Sequence, residues 1–228
     1  MVSGSVSSVF YQLNLYRNYF LKHSFFKEAI DKQIPSSVLM EFALYQYSDG
    51  VLWVPMLSLM KSKIEKSTRL RKAIEDNICC ETGIGGVSHV ELVRKMINSL
   101  NLDCLGESSS YFVLKNLNFW LSQEFEEFTE PMVVGWLLVA ETLVPIMFEK
   151  MQACFAPLGC DTLYFSEHVS VDGDEHSRWM SEAAHDVVAA YGAEQSVGAI
   201  LHGMREAWLE TISVPDLLYQ KVLNSRHA

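Results

Sequence analysis

The sequence predicts an all-α protein, on three observations. Apolar residues recur at three- and four-residue spacing in segment after segment, no segment alternates apolar and polar with period two, and capping signals stand at the segment boundaries. Hydrophobic residues make up 49% of the 228-residue chain. That is more than surface helices need, so thick, well-buried helices are expected. A compact bundle of roughly seven to nine helices in one domain, residues 1–228, accounts for the length.

In order, Ser5 to Asp31 carries Val9, Phe10, Leu13, Tyr16, Phe20, Phe25 and Phe26, an amphipathic helix broken near His23. Pro35-Ser36-Ser37 opens a second helix to about Lys63, and a third covers Thr68 to Thr82. Gly83-Ile84-Gly85-Gly86 breaks the chain there. Ser88-His89-Val90-Glu91 restarts it as a capping box, Ser88 at the N-cap and Glu91 at N3, so His89 falls in a first turn. A helix over Tyr111–Glu124 follows. Thr129-Glu130-Pro131 opens the next, which ends near Phe155 before Pro157 and Gly159. Asp161–Tyr191, Ala193–Ile212 and Pro215–Asn224 complete the set.

Pro131 to Phe148 is apolar enough to resemble a membrane span. Glu141, Gly135 and Pro145 interrupt it, and no other segment resembles it, so a central buried helix is expected instead. An unpaired carboxylate there is costly, which makes Glu141 a candidate for hydrogen bonding or for a cation. Pro145, four residues on, removes the helical hydrogen bond to the Glu141 carbonyl.

The net charge of −10 excludes the basic patches that nucleic-acid binding needs. The five cysteines follow no disulfide or metal spacing, and a reducing cytoplasm is expected. No signal peptide is read at the N-terminus.

Chemistry concentrates in His168-Val-Ser-Val-Asp172-Gly-Asp-Glu-His176. On a continuous helix each step of four drifts only ~40°, so the three side chains span an arc of roughly 80° over about 12 Å. That is long for one metal ion and suits two, ~3.5–4 Å apart. Glu81 and His89 flank the glycine break, which can aim both at one point. With Glu141 they make three carboxylates and three imidazoles, donors suited to a dinuclear iron site. Glu182-Ala-Ala-His185 is a lone Glu-x-x-His pair and reads as a surface contact, and His23 alone is placed as a haem ligand would be.

Glu81 with His89, Glu141 in Ala-Glu141-Thr-Leu-Val-Pro145-Ile-Met-Phe148, and His168-x3-Asp172-Gly-Asp-Glu-His176 together resemble the haem-oxygenase-like di-iron oxidases and oxygenases, over about residues 36–200. Many members close with His-x3-Asp-x2-His. Here the last gap is three, which loosens a turn near Gly173. The resemblance implies a haem-oxygenase-like bundle whose core holds two Fe(II) ions on Glu81, His89, Glu141, His168, Asp172 and His176. It also implies dioxygen as co-substrate and oxidative attack on a small molecule. One iron would draw on Glu81, His89 and His176, the other on His168 and Asp172, with Glu141 bridging and Glu141 and Asp172 at the chemistry. The partners expected are a small amine or amino acid, an external reductant and a second copy of the chain as homodimer. A fatty-acid substrate and a non-catalytic metal- or partner-binding bundle are the alternatives. For the substrate, Trp136 one turn before Glu141, the Glu41–Tyr45 pair, and Arg205 as a carboxylate anchor are the candidates.

Overall fold

The computed structural model describes residues 5–30, 34–83, 86–102, 118, 121, 123–169 and 173–225. Among these there are helices and turns and no strand. The elements are α1 (Val6–Leu21), α2 (Ser24–Ile30), α3 (Ser36–Lys61), α4 (Thr68–Thr82), α5 (His89–Ser99), α6 (Gln123–Glu126), α7 (Glu130–Phe155), α8 (Leu163–Glu167), α9 (Gly173–Tyr191) and α10 (Ala193–Ser225). The break at His23 falls where the periodicity places it. Its ring explains the turn: Nδ1 accepts the Phe25 N–H at 3.1 Å and Nε2 pairs with Asp216 at 2.9 Å. With both nitrogens engaged, His23 is not a haem ligand. The helix expected over Tyr111–Glu124 lies almost wholly outside the described residues.

α7 is the hub, because it is apolar around its whole circumference and can satisfy that only by burial on every side. Its buried residues run from Glu130 through Phe155, and it is the one described helix long and apolar enough to cross a membrane. Here it is the core helix: α10 and α9 cover most of it, with α1, α2, α3 and α8 adding the rest. The α7–α10 crossing is close because two glycines face opposing backbone. A Cβ on Gly135 would lie 2.0 Å from the Ile200 carbonyl oxygen, and one on Gly203 would lie 1.9 Å from that of Met132. α3, α4 and α5 form the facing wall, with α9 packed on α4.

Two expectations are corrected. Ala193–Ile212 and Pro215–Asn224 form one helix, α10, with Pro215 inside it. Val214, Pro215 and Leu218 are buried, and that packing on both sides of the missing N–H outweighs the roughly 3 kcal/mol a proline costs a helix interior. Conversely, Asp161–Tyr191 is not one helix. α8 ends in a π-type turn at His168–Val169 and α9 starts at Gly173, so His168 and His176 belong to different elements. Glycine's helix cost of ~1 kcal/mol at the boundary favours a start there over a continuous rod.

Candidate metal centre

Glu81 lies in the last turn of α4, which Gly83 ends at φ 67° by donating its N–H back to Cys80. A Cβ on Gly83 would stand 2.5 Å from the Ser88 nitrogen, so only glycine allows so tight a return. Ser88 then caps α5, its hydroxyl accepting the Glu91 N–H at 3.3 Å. The return places His89 Nδ1 2.9 Å from Glu81 Oε2. His168 enters from the end of α8, its ring centroid 4.2 Å from that of His89. One donor atom from each of Glu81, His89 and His168 lies within 4.8 Å of the others, and all three side chains are buried.

His168 is fixed from behind. Its Nδ1 stands 2.8 Å from the Tyr164 carbonyl. A carbonyl only accepts, so Nδ1 carries the proton and Nε2 keeps its lone pair. Burial first, and the neighbouring His89 second, push the His168 pKa well below the ordinary imidazole value. The ring is therefore neutral, the form that binds a metal.

A second pair adjoins this cluster. Glu141 Oε2 is 3.1 Å from His176 Nδ1, and Glu141 Oε1 accepts from Asn77 Nδ2 at 2.6 Å. Asn77 is one turn before Glu81 on the same buried face of α4, so that helix serves both groups. The Glu141 carbonyl, which Pro145 deprives of its helical partner, accepts from Ser177 Oγ at 3.1 Å. Consecutive residues of α9, His176 and Ser177, thus grip the side chain and the backbone of Glu141.

The grouping differs from the sequence-based expectation. His168, not His176, stands with Glu81 and His89, and His176 stands with Glu141. The break between α8 and α9 allows this, since the two histidines no longer share one rod. Asp172 lies outside the described residues.

The groups open onto a cavity of about 490 Å³, part of it continuous with solvent, lined by Glu81, Glu141 and His168 on one side and by Gln46, Asp49 and Trp53 of α3 on another. Phe148 and Tyr164 close it. None of Glu41, Tyr45, Trp136 and Arg205 lines this cavity. Glu41 pairs with Lys221 of α10, and Arg205 is exposed beside Glu206. Tyr45 is buried elsewhere in the core, and Trp136 sits behind Trp53 at 5.8 Å between ring centroids. Glu182 pairs at the surface with Arg69 and Arg178, and His185 stacks on Phe10. Gln46, Asp49 and Asn77 carry no spacing signal. Only their polar character on an otherwise apolar helix face marks them. Burial first and the Glu81 charge second push Asp49 up to about 7.

The donor set fits a metal. Three acids face one cavity, and no Lys or Arg is among the described residues that line it. Buried carboxylates without a cationic partner are costly, and a divalent cation would supply the missing charge. Carboxylate and imidazole donors suit iron or manganese.

The family-level comparison agrees. The model of the iron-containing redox enzyme family matches residues 37–209, and the chain belongs to that family. No curated protein sequence matches it. Among solved structures the fold is similar to that of a CADD-like protein of unknown function from Nostoc punctiforme. The TM-score is 0.63 at 17% identity, covering 95% of this chain and 98% of that one. At that identity the likeness concerns the fold.

Proposed function

We propose that this member of the iron-containing redox enzymes is a non-haem di-iron oxidase or oxygenase that uses dioxygen on a small amine or amino acid, working in the cytoplasm with an external reductant. The observation that carries the reading is one buried three-donor cluster beside a buried carboxylate–imidazole pair on the same cavity. Glu81, His89 and His168 would hold one ion. Glu141 and His176, joined by Asp172 from the motif, would hold the other. When bound, the pair supplies redox capacity and open positions for dioxygen.

The chain's own contribution is orientation and exclusion of water. The Tyr164 carbonyl holds His168 in the tautomer that presents Nε2. Asn77 fixes one oxygen of Glu141 and His176 the other, at a distance where the two side chains can share a cation in place of a proton. Trp53, Phe148 and Tyr164 keep the cavity apolar next to the acids. A lining of acids, amide and aromatics favours a compact polar substrate over a fatty acid, which would call for a long aliphatic tunnel.

Anaerobic Fe(II) titration followed by metal analysis tests the metal count, with two irons per chain expected. Admitting air should then produce a transient visible absorption band. Full loading with no band, or saturation at one iron, overturns the reading and leaves a metal-binding bundle.

A further inference from the structure

Gln46 is 1% exposed, yet only half of its amide is engaged. Its Oε1 accepts from the Tyr164 hydroxyl at 3.3 Å, while Nε2 has no partner. A buried amide donor left unpaired is expensive, and Gln46 lines the cavity, so the missing acceptor belongs to whatever fills it. Asp49 stands one turn along α3 on the same face, and Gly50 and Trp53 continue that face. Gly50 adds a second observation. A Cβ there would meet only Val90 Cγ2, at 4.0 Å, so neither packing nor backbone conformation requires glycine. Glycine in a helix interior costs stability, and what it provides here is room in the cavity.

We propose that Gln46 and Asp49 form the recognition edge of the cavity for an α-amino acid with an apolar side chain. Gln46 Nε2 donates to the substrate carboxylate and the Asp49 carboxylate accepts from its ammonium. Gly50 leaves space for the α-carbon, and the side chain lies along Trp53 and Phe148. A donor and an acceptor one helical turn apart match the two ends of an amino-acid head group. A free amine would leave Gln46 unanswered, and a free acid would oppose Asp49. This deepens the reading of the cavity as the reaction site and rests on it.

The test is calorimetry on the anaerobic Fe(II)-loaded protein with three matched probes: L-phenylalanine, phenethylamine and 3-phenylpropanoate, repeated with L-leucine and its amine and acid analogues. The amino acids should bind at least tenfold tighter than either analogue. Gln46→Leu should cost tenfold for the amino acid and nothing for the amine. Asp49→Asn should cost tenfold for the amino acid and nothing for the acid. Gly50→Ala should raise the Tm while weakening amino-acid binding. Equal affinity for all three probes, no binding by any, or equal losses across the probes overturns the proposal. Iron is measured in parallel. Loss of iron on Asp49→Asn would move Asp49 into the metal set and overturn its recognition role. A wild-type chain that holds no iron yet shows the binding pattern sinks the di-iron reading and leaves this one standing.

Discussion

Glu130 and Glu141 are both buried acids on α7, about three turns apart on nearly the same face. Glu130 accepts four hydrogen bonds: the N–H groups of Glu65, Lys66 and Ser67 at 2.8, 2.8 and 2.6 Å, and the Tyr191 hydroxyl at 2.8 Å. A carboxylate has about four lone-pair sites, so its capacity is filled. Glu141 has one side-chain partner on each oxygen, Asn77 and His176. The same residue type on the same helix is thus a staple at one end and an open donor in the middle. Burial alone does not distinguish them. What does is whether neutral dipoles have answered the charge.

The sharpest way to break that comparison is to neutralise each acid in turn. Glu130→Gln leaves three backbone N–H groups facing an amide, and hydrogen bonds to charge are worth about 1.5–3 kcal/mol each. The expected loss is about 3 kcal/mol or more in denaturant unfolding, with iron per folded chain unchanged. Glu141→Gln retains an oxygen for Asn77, so apo-protein stability should move by about 1 kcal/mol or less. Its iron affinity should fall at least ~100-fold, beyond what loss of a merely supporting residue costs. The distinction collapses if Glu141→Gln unfolds as readily as Glu130→Gln, or if folded Glu130→Gln loses its iron.

The contrast also shows which roles a sequence displays. Both acids occur at legible places, Glu130 at a helix start and Glu141 in an apolar run, but the sequence marks Glu130 only as a first-turn residue. Its donors come from the α3–α4 turn, more than sixty positions away, and no local pattern encodes them. The α1/α2 break, the Gly83 turn, the Ser88 cap and the freed Glu141 carbonyl were all readable, because each depends on neighbours within four residues. The α8–α9 break was not, since a four-residue repeat reads as a continuous helix whether or not the chain turns inside it. Arg205 misled for a related reason: on an amphipathic helix a charged side chain reports its chemistry but not its facing, and this one faces solvent.

Acid titration sharpens the comparison at smaller amplitude. Burial pushes the Glu130 pKa up, but hydrogen bonds from Lys66, Glu65, Ser67 and Tyr191 outweigh it, and the net value is lowered. A depressed acid contributes stability above its unfolded pKa and loses it as pH falls through the folded value. Apo-protein stability should therefore drop between about pH 5 and the folded pKa, and Glu130→Gln should flatten that drop in urea titrations. Asp49 works with the opposite sign. Its pKa is raised to about 7, so its contribution is present below the ordinary carboxylate value and is lost as pH rises through about 7. Asp49→Asn should leave the acid limb alone and flatten the alkaline one. Identical profiles for wild type and both variants would show that neither acid is set apart by its surroundings.

The smallest effect concerns the backbone of Glu141. Pro145 cannot donate to its carbonyl, and Ser177 does so from α9. Ser177→Ala should cost about 1 kcal/mol, a Tm shift of roughly 2–4 °C for a chain of this size, with iron retained. In a Pro145→Ala background a helical N–H is restored to the same carbonyl, and removing the hydroxyl should then cost little. A double-mutant cycle measures that coupling directly. Additive losses would mean that Ser177 holds α9 for some reason other than the carbonyl that the proline exposes. Non-additive ones would show that α7 gives up a hydrogen bond beside its central acid and that α9, the helix carrying His176, replaces it.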